Sequence, residues 1–219
     1  MHLPNGSQIF IEANRDVEKE VTSVSNATNP VFTMSDTGNI KKGDYFIVTE
    51  SSWGKLVDRV LRAKEVSDNV SITAEGIDTH DSNVFPDGGT AKIAKITAWS
   101  EIPCVQDLAQ DGGEQQYYTY QCLSDDQEQQ LPTYKSAVSL TYTFAHEYDN
   151  AIYPLLRTAD ETGEVTAMRM YVPKAKEMRC WAGVLSFNEI PQTAVNEMET
   201  VSLSCSLKGR YTFLPATQA

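Results

Sequence analysis

A period of two is the feature that most constrains this chain. Over residues 136–144, SAVSLTYTF, the side chains of Val138, Leu140, Tyr142 and Phe144 fall on one side of an extended backbone, and Ser139, Thr141 and Thr143 fall on the other. Near the C-terminus Val201, Leu203, Cys205 and Leu207 alternate in the same way with Ser202, Ser204 and Ser206. Successive side chains of a strand point to opposite faces, so both segments predict strands with one buried side. Further strands are expected over 8–13, 17–25, 31–34, 45–49, 57–66, 70–75, 91–108, 115–123, 166–172 and 178–187, where β-branched and aromatic residues gather between turn formers.

One segment argues for a helix. In NAIYPLLRTADETG the residues Ile152, Leu155, Leu156 and Ala159 recur at helical spacing, Pro154 suits a first turn and Gly163 supplies a stop, which predicts a helix over about 150–162. Many strands and one helix predict a mainly β fold: an antiparallel β-sandwich or barrel core with one flanking α-helix. Residues 26–89 are richer in short strands and turn dipeptides than the rest and read as an inserted small β-lobe, with the core formed by 1–25 and 90–219. The ends, 1–7 and 215–219, lack a strong pattern and read as segments that order on a neighbour or fray.

Composition narrows the function. The chain has 219 residues, of which 41% are hydrophobic, enough for a sizeable core. Asp and Glu number 30 against 18 Lys and Arg, a formal charge of -12, so attraction to nucleic acid or to an anionic membrane is not expected. The N-terminal residues lack the pattern of an export signal and no stretch approaches the roughly 20 apolar residues of a membrane span, so a soluble protein made in the cytoplasm is expected. The cysteines Cys104, Cys122, Cys180 and Cys205 include no closely spaced pair, and free, mostly buried thiols are expected.

Chemistry-bearing constellations are weak. His2, His80 and His146 are scattered, and no metal-binding histidine motif, nucleophile elbow or phosphate loop occurs. The loop EGIDTHDSNVFPDGG gathers Asp78, Asp81, Asn83 and Asp87, but without the ligand spacing of a calcium loop, and these residue types also make turns unaided. Asp125, Asp126 and Glu128 fall too close together in one polar loop to act as an acid and base across a cleft. Neither a catalytic centre, a metal nor a cofactor is expected.

The segment GGEQQYYTYQCLSDDQEQQLPT points instead to contact with other chains. On the strand expected from Gln115, Tyr118, Tyr120 and Cys122 alternate with Tyr117, Thr119, Gln121 and Leu123, so both faces carry aromatic or amide groups. Either a neighbour covers such a strand or it lies inside, under the helix. Tyrosine suits an interface because it joins a large apolar body to a hydrogen-bonding tip. Gln115, Gln116, Tyr117, Tyr118 and Tyr120 are therefore the candidate intersubunit strand. Asp125, Asp126 and Glu128 follow this strand in an acidic turn.

The chain also resembles the major tail tube proteins of long-tailed bacteriophages with non-contractile tails. The resemblance rests on LPNGS, GDYFIVTESSW followed by RVLRAKEV, EGIDTHDSNVFP, ITAWSEI, the GGEQQ and YQ pair, the acidic run leading to QLPTYKS, SLTYTFA, the SFNEIP turn and TVSLSCSLKGR, in that order along nearly the whole chain. The four cysteines and HEYDNAIYPLL depart from the family pattern. The resemblance implies a structural virion protein that self-assembles into stacked hexameric rings. These form a hollow tube around a tape-measure protein, with tail terminator and distal tail proteins at the ends, and viral DNA passes through it without specific binding. It makes Asp111, Glu114, Asp125, Asp126 and Glu128 candidate lumen or ring-contact acids. A different class, a monomeric glycan-binding or adhesin module with Tyr117, Tyr118 and Tyr120 as a sugar platform, is the alternative.

Overall fold

The computed structural model describes residues 4–67 and 70–216. His2 and the outermost parts of both ends, 1–3 and 217–219, lie outside the described residues. In chain order the elements are β1 (Gln8–Arg15), β2 (Lys19–Val24), β3 (Val31–Met34), β4 (Tyr45–Ser51), β5 (Val60–Ser67), β6 (Ser71–Glu75), β7 (Gly89–Ile102) and β8 (Val105–Asp111). There follow β9 (Gln115–Tyr120), β10 (Gln129–Lys135), β11 (Ser139–Ala145), α1 (Ile152–Thr162), β12 (Val165–Val172), β13 (Glu177–Gln192), β14 (Thr200–Leu207) and β15 (Thr212–Pro215). The fold is mainly β and antiparallel, with one α-helix among the described residues, as the alternation predicts.

Six strands close into a barrel: β2, β3, β6, β5, β4 and β7 are hydrogen-bonded in that order and β7 returns to β2. Phe32, Phe46, Trp53, Leu61, Ile72 and Ile93 fill it. Closure uses β2, which precedes residue 26, and β7 as far as Lys95. The same β7 then leaves the barrel, and its residues from Ile96 to Ile102 pair with β1. From β1 the sheet runs on through β12, β13, β14 and β11 to β8, with β15 beside the start of β13.

Alternation decides which core each side chain joins. On β13, Trp181, Leu185 and Phe187 enter the main core, while Cys180 and Ala182 face the barrel together with Ala167. On β4, Phe46 and Val48 point into the barrel, and Tyr45 and Ile47 meet the sheet. Strands buried on both faces read as continuous apolar runs, which is why residues 45–48 are YFIV rather than an alternating pattern. In the main core Trp181 stacks between Tyr142 and Tyr211, with centroids 6.5 and 4.8 Å away. Full burial of each such side chain contributes about 1.5–3 kcal/mol before entropy is counted. Helix α1 covers this core beside β13 with Ile152, Tyr153, Leu156 and Ala159, and ends where Gly163, at φ 63°, donates its N–H to Ala159 O.

Some expectations are corrected. The single strand expected over 91–108 is two, β7 and β8, because Pro103 and the left-handed Cys104 (φ 44°) turn the chain between them. SFNEIP is not a turn but part of β13. No strand is expected over β10 or β15. Of the four cysteines, all free, Cys180 and Cys205 are buried, whereas Cys104 and Cys122 are exposed. His146 is not simply solvated: its Nδ1 lies 2.8 Å from the Tyr153 hydroxyl. In the 78–87 loop, Asp78 accepts the His80 N–H and Asp81 accepts the Asn83 N–H, so both carboxylates cap turns.

Candidate assembly surface

The sheet ends at β8, whose far edge meets no other described strand. Six of its seven residues are exposed, Leu108 among them. Beyond Asp111 the β8–β11 ladder would continue straight into β9 and β10, but Gly112 and Gly113 take left-handed φ angles of 81° and 90° and redirect it. The redirection is tight, since a Cβ on Gly112 would stand 1.9 Å from Ala137 O. Ser136 pins the bend: its Oγ accepts the N–H groups of Gly113 and Glu114 at 2.9 and 3.0 Å and donates to the Glu114 carboxylate at 2.7 Å. That hydroxyl holds the Glu114 carboxyl below the usual carboxylate range.

Past the bend, β9 and β10 form a two-stranded arm that pairs with no other strand of the described chain. From Glu114 to Ser124 it reaches roughly 30 Å at a strand's rise per residue. Tyr118 and Tyr120 stack on one face with centroids 6.4 Å apart, and Tyr118 is paired across with Leu131 and Tyr117 with Pro132. Tyr117, Tyr118, Leu131 and Tyr134 are each more than half exposed, and Leu123 at the tip is fully so. A hairpin of this size is marginal in water alone.

The predicted site residues fall in three places. Gln115, Gln116, Tyr117, Tyr118 and Tyr120 lie on β9, which is not beneath the helix; Asp111 and Glu114 lie at the bend; Asp125, Asp126 and Glu128 share the turn joining β9 to β10. In that turn Asp125 accepts from Gln129 Nε2 at 3.3 Å, and its carbonyl accepts from Gln121 Nε2 at 2.8 Å. Between residues 105 and 136 six carboxylates (Asp107, Asp111, Glu114, Asp125, Asp126, Glu128) face one cation, Lys135. Sequence reasoning misses the β10 half of the arm, Leu131 and Tyr134, because Pro132 argues against a strand. It also misses an exposed group at the other end of β11, Tyr148, Ile190, Val195 and Met198, which no local period marks.

Among the described residues no group of three His, Cys, Asp or Glu could hold a metal ion, and no helix is long and apolar enough to cross a membrane. Fold and surface together define a mainly β protein with an unpaired sheet edge and a projecting two-stranded arm. The family described as phage tail tube protein, TTP, matches residues 51–216, and the chain belongs to that family. It is a structural component of a phage tail. No curated protein matches the sequence significantly.

Proposed function

We propose that the protein is the subunit of stacked hexameric rings that form the hollow tail tube of a phage with a long, non-contractile tail. The observation that supports this best is the arm: a hairpin with apolar side chains on show and both outer edges open, attached to an edge strand whose far side is itself unpaired. Pairing β8 and the arm side by side with the same elements of neighbours would close both edges and give a continuous wall, which removes the hazard of open sheet edges. The exposed apolar groups at opposite ends of β11, the arm at one and Tyr148, Ile190, Val195 and Met198 at the other, suit head-to-tail stacking of rings, a heterologous contact that propagates.

The acidity of the β8–arm segment fits a bore for DNA. Each phosphate that a cation neutralises adds affinity, so a wall to which residues 105–114 bring Asp107, Asp111 and Glu114 and no Lys or Arg offers DNA almost nothing to hold. In this reading the DNA passes without specific binding, a tape-measure protein fills the tube before it, and terminator and distal tail proteins close the ends. The subunit is made in the host cytoplasm and ends in the virion. A tube subunit of this family is structural, and on this reading the protein is not an enzyme.

Replacing 114–135 by a short polar turn and following sedimentation tests the reading. The wild type is expected to form rings or tubes at high concentration, and the shortened protein to remain a folded monomer. A shortened protein that still assembles would refute the role of the arm. A wild type that stays monomeric and binds glycans through Tyr117, Tyr118 and Tyr120 would favour a binding module instead.

A further inference from the structure

A second charged feature lies away from the arm. Where the β14–β15 connection packs on the barrel there is an open pocket of about 360 Å³, whose lining includes Lys55, Arg59, Asp78 and Arg210. Gly76 lines it, and Gly209 beside Arg210 sets how closely the connection packs. A Cβ on Gly209 would stand 2.0 Å from Asp58 O, so only glycine lets the strand connection sit against the β4–β5 turn, where Asp58 itself is left-handed at φ 58°. Gly76, at φ 102°, leaves room for Thr212, whose Cγ2 would be 2.2 Å from an added Cβ.

The cations of this pocket have no counter-charge within ion-pair distance among the described residues. Arg59 donates from Nη2 to Tyr211 O at 3.3 Å, while its Nε is buried without a partner. Burial, and secondly the charge of Arg210, push the Arg59 guanidinium below its ordinary range. Among the described residues no carboxylate lies within ion-pair distance of Lys55, Arg59 or Arg210, in a chain with 30 acidic residues to choose from. The one carboxylate in the lining, Asp78, is engaged by the His80 N–H. Two guanidinium groups held near each other without a counter-charge are relieved by an anion, and a carboxylate matches their fork of donors.

The complement is at the end of the arm. Asp125, Asp126 and Glu128 also lack a cation within ion-pair distance among the described residues, and they stand at the tip of a hairpin directed away from the core. We propose that the pocket of Lys55, Arg59 and Arg210 is a carboxylate receptor, and that its occupant is the acidic β9–β10 turn of a second copy of this chain. Each copy then carries one donor and one acceptor, so every contact leaves a further one open and the assembly grows. A second copy suits the site better than nucleic acid: the pocket admits a turn rather than a duplex, and the net charge of -12 repels a polyanion. This inference rests on the tube reading above and adds the contact through which copies recognise one another.

Charge exchange tests it. Lys55→Glu with Arg210→Glu alters two exposed side chains, so circular dichroism and thermal unfolding should match the wild type. The double variant is expected to need about tenfold or more protein to form tubes in electron micrographs. Adding Asp125→Lys and Asp126→Lys to the same chain is expected to restore assembly at the wild-type concentration. Wild-type tubes with an unaffected double variant, or a double variant that the added lysines do not rescue, would overturn the carboxylate receptor and leave the tube reading standing. A wild type that never assembles would overturn both.

Discussion

The two exposed cysteines sit at the turn before β8 and beside the turn at the arm's tip, and the two buried ones lie in packed cores. Cys104 occupies the left-handed turn before β8, and Cys122 lies next to the tip of the arm. Burial pushes the thiols of Cys180 and Cys205 up to about 12, so both are protonated and inaccessible at neutral pH. A thiol reagent at pH 8 is therefore expected to label Cys104 and Cys122 in the free subunit and all four cysteines in denaturant. Assembly through the arm is expected to protect Cys122, read by mass spectrometry of labelled tubes; labelling of Cys122 at the same rate in tubes and subunits would place the arm tip outside every contact. Glycine 112 shows how one atom can matter as much. Its φ of 81° and the 1.9 Å approach to Ala137 O leave no room for a side chain.

At the scale of elements, the bend at Gly112 separates the large sheet from the two-stranded arm. Gly112→Ala is expected to destabilise the subunit by about 1–3 kcal/mol from the left-handed backbone and local displacement. It is expected to impair tube formation more than that loss explains, since the arm is re-aimed. Denaturant unfolding and micrographs of the same preparation check this; a stable variant with normal tubes would contradict it. Most elements are legible in the sequence where one face is buried, as in β11 and β14, whose serines and threonines mark the other face. The helix is legible through its apolar stripe and the stop at Gly163. The order of strands is not, because no local pattern says that β7 serves both the barrel and the sheet. β10 is hidden by Pro132 and by lying on an arm without a buried face to impose alternation. Of the candidate site, the β9 tyrosines and the acidic turn are legible because they are local, whereas the pocket joining Lys55, Arg59 and Arg210 exists only through folding.

For the whole molecule, a curved sheet and a barrel share β7 and bury Tyr45, Ile47, Ala167, Cys180 and Ala182 between them. Arg169 reinforces that junction, its guanidinium 4.6 Å from the Trp99 ring centroid and 5.2 Å from that of Tyr45. On the proposed reading, a junction packed in this way holds β8 and the arm on a firm base, pre-shaped for pairing with neighbours. Family membership gives the class of structure such a surface serves; the wall of the tube is the part that rests on the arm. The most direct test is an electron cryo-microscopy reconstruction of tubes grown from the purified full chain. It is expected to show six subunits per ring, with β8, β9 and β10 of adjacent subunits hydrogen-bonded into one closed wall around a bore. Tubes whose arms point outward, leaving β8 unpaired along the bore, would contradict the account.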